Sequence, residues 1–106
     1  YDWKDHKTAI AGATTLVNCT SLGTVNNDPF PHALKGAHSK AVGIDLVYNP
    51  IKTSFMMNAI KENIKCINGL DMLVYQAKPG FTRWFNKTSV YSKNLEDQLL
   101  KSLKGT

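Results

Sequence analysis

Three short apolar runs along the chain have the pattern of β-strands. They are T-T-L-V-N-C at residues 14–19, A-V-G-I-D-L-V-Y at 41–48 and I-K-C-I at 64–67. Leu16 and Val17 are adjacent and both apolar, so the first run predicts a strand that is buried on both faces, as in a parallel sheet. The Asn49-Pro50 pair ends the second run, because proline restricts the residue before it.

Before, between and after these runs, apolar residues recur with the 3.6-residue period of helices. The predicted helices cover residues 7–13, a single turn at 30–34, a segment capped by Thr53 or Ser54 that runs to about Asn63, a long segment from Leu70, and residues 95–103. We expect Pro79-Gly80 to kink or break the long helix, since proline clashes with the preceding turn. Residues 20–31 contain the Gly, Pro, Asn and Asp residues typical of a loop.

The order strand, crossover, strand, helix, strand, helix, helix predicts an α/β fold with parallel strands. A chain of 106 residues is long enough for one small domain with a single core. Three strands are nevertheless few for an independent doubly wound domain. The predicted elements therefore correspond to the second half of such a domain.

Composition and charge narrow the function classes. The 42% hydrophobic and 20% charged residues are typical of a soluble globular chain. No run approaches the roughly 18 apolar residues of a membrane span, and no signal peptide is visible, so we expect a cytoplasmic protein without a membrane partner. The net charge of +5 permits an anionic partner, but the scattered lysines favour solvated helix faces over a nucleic-acid surface.

The two cysteines and three histidines do not suggest a reactive or metal centre. Cys19 and Cys66 lie in apolar, strand-like contexts, which predicts reduced thiols. Because no histidine is near Cys19 in sequence, we interpret it as a small buried hydrophobe rather than a nucleophile. The histidines lack metal-ligand spacing with the cysteines, so no metal site is predicted.

The stretch I-N-G-L-D-M-L-V-Y-Q at residues 67–76 predicts a strand, a tight turn and a helix. Asn68 is expected to cap the helix, and Gly69 to supply a positive φ in the turn. Asp71 falls in the first helical turn, where the helix dipole favours a carboxylate. Met72 and Gln76 are four residues apart and share a face. Spacing alone leaves two interpretations open, a core helix with one satisfied glutamine or a ligand contact.

Three motifs occur in order along the chain: N-C-T-S-L-G at 18–23, D-L-V-Y-N-P at 45–50, and the stretch at 67–76. Together they resemble the C-terminal part of shikimate dehydrogenase, an NADP-dependent enzyme of aromatic amino-acid biosynthesis. The resemblance implies that residues 1–69 are the C-terminal half of a Rossmann-like NADP-binding domain. It implies that residues 70–106 are C-terminal helices that pack back on a substrate domain outside this chain.

The resemblance also implies roles for individual residues. Substrate, shikimate or 3-dehydroshikimate, would be contacted by Tyr48 and Gln76. The residues implied to lie at the NADP cofactor are Thr20 beside the ribose, Leu46 and Met72 near the nicotinamide, and Gly69 through close backbone approach.

Departures from the family pattern limit what this chain can do by itself. The family's catalytic lysine and aspartate lie in an N-terminal substrate domain, and its glycine-rich phosphate loop lies upstream, so no catalytic residue is assigned here. We therefore expect the isolated chain to be inactive. We also expect it to self-associate, to remain bound to that N-terminal part, or to be partly unfolded. Two alternatives stay open: a non-catalytic nucleotide- or partner-binding remnant, and a related quinate/shikimate dehydrogenase.

Overall fold

The computed structural model describes residues 1–104. Its elements are a 3₁₀ turn Trp3–Asp5, helix α1 His6–Ile10, strand β1 Thr15–Asn18, strand β2 Val42–Asp45, helix α2 Ser54–Lys61, strand β3 Lys65–Ile67, helix α3 Gly69–Phe85 and helix α4 Lys93–Lys104. The chain divides into two compact units, residues 1–69 and a second unit that begins at Leu70.

The first unit contains a three-stranded parallel sheet in the order β1-β2-β3. In its register Leu16 lies opposite Gly43, and Gly43 lies opposite Cys66. The α/β class and the three parallel strands predicted from the sequence are therefore confirmed. Strand β2 is shorter than the apolar run that predicted it, because the chain leaves the sheet after Asp45.

One face of this sheet carries the core of the first unit. Helix α2 packs Phe55 and Ala59 there, each at most 2% exposed. The other buried members of the core cluster are Ile10, Leu34, Ala41 and Ile64, with Leu16, Phe30, Ala37 and Cys66 packed against them. A Cβ atom on Gly43 would lie 3.2 Å from the Cys66 Sγ and 3.5 Å from the Phe55 ring. Glycine in the central strand therefore lets α2 approach the sheet closely.

The opposite sheet face is largely open within the first unit. Val17 is 46% exposed and Ile67 is 42% exposed, and Ile44 between them is half-buried. The prediction that β1 is buried on both faces is therefore wrong for this unit. Its adjacent apolar residues point to opposite faces, and only the Leu16 side packs against the core.

Two predicted helical segments differ from the structure. Helix α1 ends at Ile10 rather than Ala13, because Gly12 adopts φ +70° and donates its N–H to the Gly36 carbonyl at 2.9 Å. The predicted turn at residues 30–34 is absent, and this segment contains neither helix nor strand.

Side chains of helix α2 hold the segment at residues 30–34 in its irregular form. Ser54 Oγ accepts the N–H of Phe30 at 2.7 Å, and Asn58 Nδ2 donates to the His32 carbonyl at 2.9 Å. These partners replace the backbone hydrogen bonds that a helical turn would make.

Helix α2 starts and ends close to its predicted bounds. Thr53 is the N-cap, since its Oγ1 accepts the N–H of Met56 at 3.1 Å. Lys61 is the last helical residue, and Asn63 then adopts φ +57°. The positive φ explains why the helix stops there, because asparagine tolerates the left-handed region better than most residues.

The second unit is built from α3, α4 and the segment between them. Helix α3 continues through Pro79 to Phe85, so the predicted break is wrong; proline costs the helix one backbone hydrogen bond without ending it. Tyr91 Oη donates to Asp71 Oδ1 at 3.2 Å, which ties the connecting segment back to the first turn of α3.

The leucine stripe predicted for the last helix is present on α4. Leu95 and Leu99 line an apolar pocket together with Leu73, Ala77 and Phe81 of α3. The stripe is therefore partly covered inside its own unit. Among the described residues, no helix is long and apolar enough to cross a bilayer.

Candidate functional site

The candidate site lies where the strands of the parallel sheet end. Thr20 follows β1, Leu46 and Tyr48 follow β2, and Gly69 follows β3. Carboxyl ends of parallel strands meet at one edge, which is where open α/β sheets bind ligands. A pocket of about 410 Å³ at this edge is lined by Thr20, Thr24, Val25, Leu46, Val47, Tyr48 and Asn49.

The structure thus brings Thr20, Leu46 and Tyr48 together, as the motifs predict for neighbouring strand ends. Tyr48 is 39% exposed and so can reach a ligand in the pocket. The N–H of Val25 donates to the Asn49 carbonyl at 3.3 Å, which joins the loop after β1 to the loop after β2. The pocket wall is therefore built from two loops held to each other.

The Thr20 hydroxyl is already engaged in the loop after β1. It donates to Asn18 Oδ1 at 2.6 Å and accepts the N–H of Leu22 at 3.1 Å. A hydroxyl has one donor and two acceptor positions, so one lone pair is left. Thr20 can consequently accept a hydrogen bond from a ligand hydroxyl but cannot donate one without losing Asn18.

A buried polar cluster lies directly behind these loops. Asn18, Asp45 and Thr53 are each at most 1% exposed. The carboxylate of Asp45 accepts from Asn18 Nδ2 at 3.0 Å, from the N–H of Val47 at 3.0 Å, and from the Thr53 hydroxyl. Burying a charged group costs free energy unless it is hydrogen-bonded, and these three donors meet that requirement.

Gly69 is required by close approach rather than by backbone conformation. Its φ is not in the positive range, so the predicted left-handed turn is wrong. A Cβ atom built on Gly69 would lie 2.7 Å from the carbonyl carbon of Leu46 and 2.8 Å from the carbonyl oxygen of Val47. Only glycine leaves room for the backbone of residue 69 against the loop after β2.

Met72 and Gln76 belong to the second unit, where both lie on α3. Met72 is 40% exposed, and Gln76 lines a shallow pocket with Leu73, Ala77 and Phe81. Neither is part of a tightly packed core. Asp71 is in the first turn of α3, as predicted.

Sequence reasoning missed the buried cluster behind the pocket. Asn18 and Asp45 are the last residues of β1 and β2, and Thr53 had been assigned only a capping role. A signal existed for Asn18 and Asp45, because each is a polar residue directly after apolar strand residues. Such a residue must find a partner when it is buried.

The thiols also differ from expectation. Cys19 is exposed rather than buried, because β1 ends one residue earlier. Cys66 is half-buried, and burial together with the nearby Asp45 raises the pKa of its thiol. Both are free cysteines.

Two histidines stack in the first unit, outside the pocket. The ring centroids of His6 and His32 are 3.7 Å apart, with their planes inclined by 17°. Trp3 meets His32 edge-on at 4.8 Å. Burial and the adjacent His6 lower the pKa of His32. The described residues contain no group of three or more His, Cys, Asp or Glu side chains arranged to hold a metal ion.

Comparisons with known proteins identify the family. No protein-family model matches the chain. The shikimate dehydrogenase (NADP(+)) of Brucella abortus is 34% identical over 106 residues, which is 97% of this chain and 37% of that protein. The enzyme of the same name from Cereibacter sphaeroides is 41% identical over 85 residues, which is 80% of this chain and 30% of that protein.

The chain belongs to the shikimate dehydrogenase family. A solved structure of shikimate 5-dehydrogenase from Thermus thermophilus, in complex with NADP(H) and shikimate, supports this membership. It superimposes with a TM-score of 0.60 and 30% identity over 73% of this chain and 30% of that one. This chain spans about a third of the length of those relatives, consistent with their C-terminal portion.

Proposed function

We propose that the full-length protein containing this chain is an NADP-dependent shikimate dehydrogenase. The reaction is the reversible transfer of hydride between NADPH and 3-dehydroshikimate, a step of aromatic amino-acid biosynthesis in the cytoplasm. The observation that carries the proposal is the coincidence of two facts. The three family motifs supply the ends of three neighbouring parallel strands, and the relatives matched over nearly the whole chain bear that enzyme's name.

The pocket at the strand ends fits the cofactor that this family uses. NADP, when bound, supplies the hydride acceptor or donor. Leu46 lines this pocket and offers apolar surface against which a planar ring can lie. We assign Gly69, whose backbone packs against that of Leu46, to the cofactor as well. The free lone pair of Thr20 accepts from a ribose hydroxyl. We assign Met72 to the nicotinamide of the cofactor.

Substrate recognition falls to polar side chains. Shikimate is a polyhydroxylated acid, and its hydroxyl groups need hydrogen-bonding partners. We assign that role to Tyr48, which is accessible in the pocket, and to Gln76 on α3. General acid–base catalysis is left to residues outside this chain. In the same proposal, the helices from Leu70 onward pack on the substrate domain that carries those residues.

Steady-state kinetics of the full-length protein test the proposal. The assay follows the absorbance of the reduced cofactor, NADPH or NADH, with shikimate or quinate as substrate and NADP or NAD as oxidant. We expect turnover with shikimate and NADP at a higher kcat/KM than with the other three combinations. Preference for quinate would move the assignment to a quinate dehydrogenase. Tight NADP binding by calorimetry with no turnover on either substrate would indicate a binding protein instead.

A further inference from the structure

The buried carboxylate of Asp45 joins three segments that would otherwise be independent. It receives hydrogen bonds from Asn18 at the end of β1, from the backbone of Val47 in the loop after β2, and from Thr53 at the start of α2. Asp45 is fully buried, and its side chain lines no described pocket. Asp45 is therefore placed to hold these three segments together rather than to contact a ligand.

Asn18 extends the same network into the loop after β1. Its Oδ1 accepts the N–H and the hydroxyl of Thr20, at 3.1 and 2.6 Å. Its Nδ2 donates to the Leu22 carbonyl at 3.2 Å as well as to Asp45. One side-chain amide thus fixes the pocket-lining turn and ties it to the carboxylate.

We propose that Asp45 is a positioning residue, which through Asn18, Val47 and Thr53 holds the loop of Thr20 and the loop of Tyr48 at a fixed separation. This inference rests on the proposed function for its catalytic consequence. The Thr20 loop serves the cofactor, and the loop after β2 serves both ligands, through Leu46 at the nicotinamide and Tyr48 at the substrate. The network therefore sets the distance between the hydride donor and its acceptor, a distance on which the rate depends steeply.

Thr53 is the best position at which to disrupt the network by mutation, because its side chain does not line the pocket. Thr53→Val removes the donor to Asp45 at nearly constant volume, but it also removes the cap of α2. Thr53→Ser keeps both hydrogen bonds and is the matched conservative variant. Ile64→Val, in the core and outside the network, is the control for general destabilisation. Asp45→Asn is a second variant, in which a donor replaces the oxygen that accepts from Thr53.

Two readouts on the full-length protein test the proposal. Hydrogen exchange is measured on peptides covering residues 19–25 and 46–49, where network side chains accept the N–H groups of Thr20, Leu22 and Val47. Kinetics with shikimate and NADP give kcat and KM separately. For Thr53→Val and Asp45→Asn we expect exchange in both peptides to accelerate and kcat to fall by about tenfold or more, with KM changing less. Thr53→Ser and Ile64→Val should match the wild type in both.

The outcomes separate this proposal from the proposed function. If Thr53→Val and Asp45→Asn lower the melting temperature but leave kcat and peptide exchange at the level of Ile64→Val, Asp45 is not a positioning residue. If the wild-type protein does not oxidise shikimate, the proposed function fails, and the exchange experiment alone decides whether Asp45 couples the two loops. Acceleration confined to one peptide would also overturn the proposed coupling.

Discussion

The backbone of Gly69 lies so close to the backbone of Leu46 that no side chain fits between them. A Cβ atom at position 69 would be 2.7 Å from the Leu46 carbonyl carbon, a separation that requires backbone to move. The backbone of residue 69 and the loop after β2 are therefore packed together with no room for a side chain. Gly69 and Leu46, both assigned to the cofactor, are thus in direct backbone contact.

Gly69→Ala should therefore destabilise the full-length protein, although the substitution adds only one methyl group. We expect a loss of about 1–3 kcal/mol in the free energy of unfolding, as for other overpacked sites, together with weaker NADP binding. Gly80→Ala is the control, because nothing lies within 4 Å of a Cβ atom there and alanine favours a helix. Chemical denaturation and calorimetric titration measure both quantities. Equal effects of the two substitutions would refute the close-approach argument.

Removing the polar groups of Tyr48 and Gln76 should weaken the use of shikimate selectively. Tyr48→Phe and Gln76→Ala each leave a substrate hydroxyl without its partner, so kcat/KM should fall by an amount equivalent to about 1–3 kcal/mol. The dissociation constant for NADP should stay near that of the wild type. Unaltered shikimate kinetics in both variants would show that these two residues do not contact substrate.

The isolated 106-residue chain should have no dehydrogenase activity. It includes the strand ends at Thr20, Leu46 and Gly69, but the residues for proton transfer and phosphate binding are assigned by family resemblance to other parts of the protein. Without them, neither step has an agent. An NADP–shikimate assay of the purified chain, with the full-length protein as positive control, checks this. Any turnover above the buffer blank would contradict it.

The open sheet face should make the isolated chain self-associate. Val17 and Ile67 are each more than 40% exposed on that face, and β1 and β3 are edge strands of the described sheet. Ile67→Lys should shift the chain toward monomer in sedimentation velocity. Val90→Lys adds the same charge in the second unit, at a residue already 76% exposed, and should have little effect. A monodisperse wild-type monomer would contradict the prediction that the open sheet face causes self-association.

The stacked histidines should make stability depend on pH below neutrality. His32 has its pKa lowered from the ordinary 6.5, so the unfolded chain binds the proton more readily than the folded one. The free energy of unfolding should therefore be unaffected by this group above pH 6.5 and decrease as the pH falls below it. His32→Phe keeps a ring against His6, but it should weaken the dependence of the free energy of unfolding on pH below 6.5.

Denaturant titrations of the full-length protein between pH 5 and 8 measure that profile. His38→Asn is the matched control. The exposed side chain of His38 accepts the Lys40 N–H through Nδ1, and asparagine retains an acceptor. If His32→Phe and His38→Asn change the slope equally, the stacked pair is not its source.

The sequence predicted the elements that depend on local pattern and missed those that depend on distant partners. The three strands and the cap at Thr53 follow from short apolar runs and one hydroxyl. The irregular segment at residues 30–34 could not be predicted, since Asn58 of a later helix dictates its hydrogen bonds. The exposure of Val17 could not be predicted either. Whether the second face of a sheet is buried depends on whether another element packs against it, and the apolar pattern of the strand does not show this.

The candidate site divides in the same way. Thr20, Leu46 and Tyr48 could be placed at one sheet edge because parallel strands end together. The reason for Gly69 could not be predicted, since the sequence does not contain the distance between two backbones. Nor could the side-chain partners of Asp45, Asn18 and Thr53, which are 27 and 8 residues away in the chain.

The contact between Gly43 and Cys66 has a consequence for how the chain can change over time. The two positions share one small volume beneath Phe55, so they cannot vary independently. A gain of a methyl group at position 43 must be matched by a smaller side chain at position 66, or helix α2 is lifted from the sheet. In a library randomised at positions 43 and 66, the variants that fold should have nearly the same sum of the two side-chain volumes. Variants with large side chains at both positions should be rare among them.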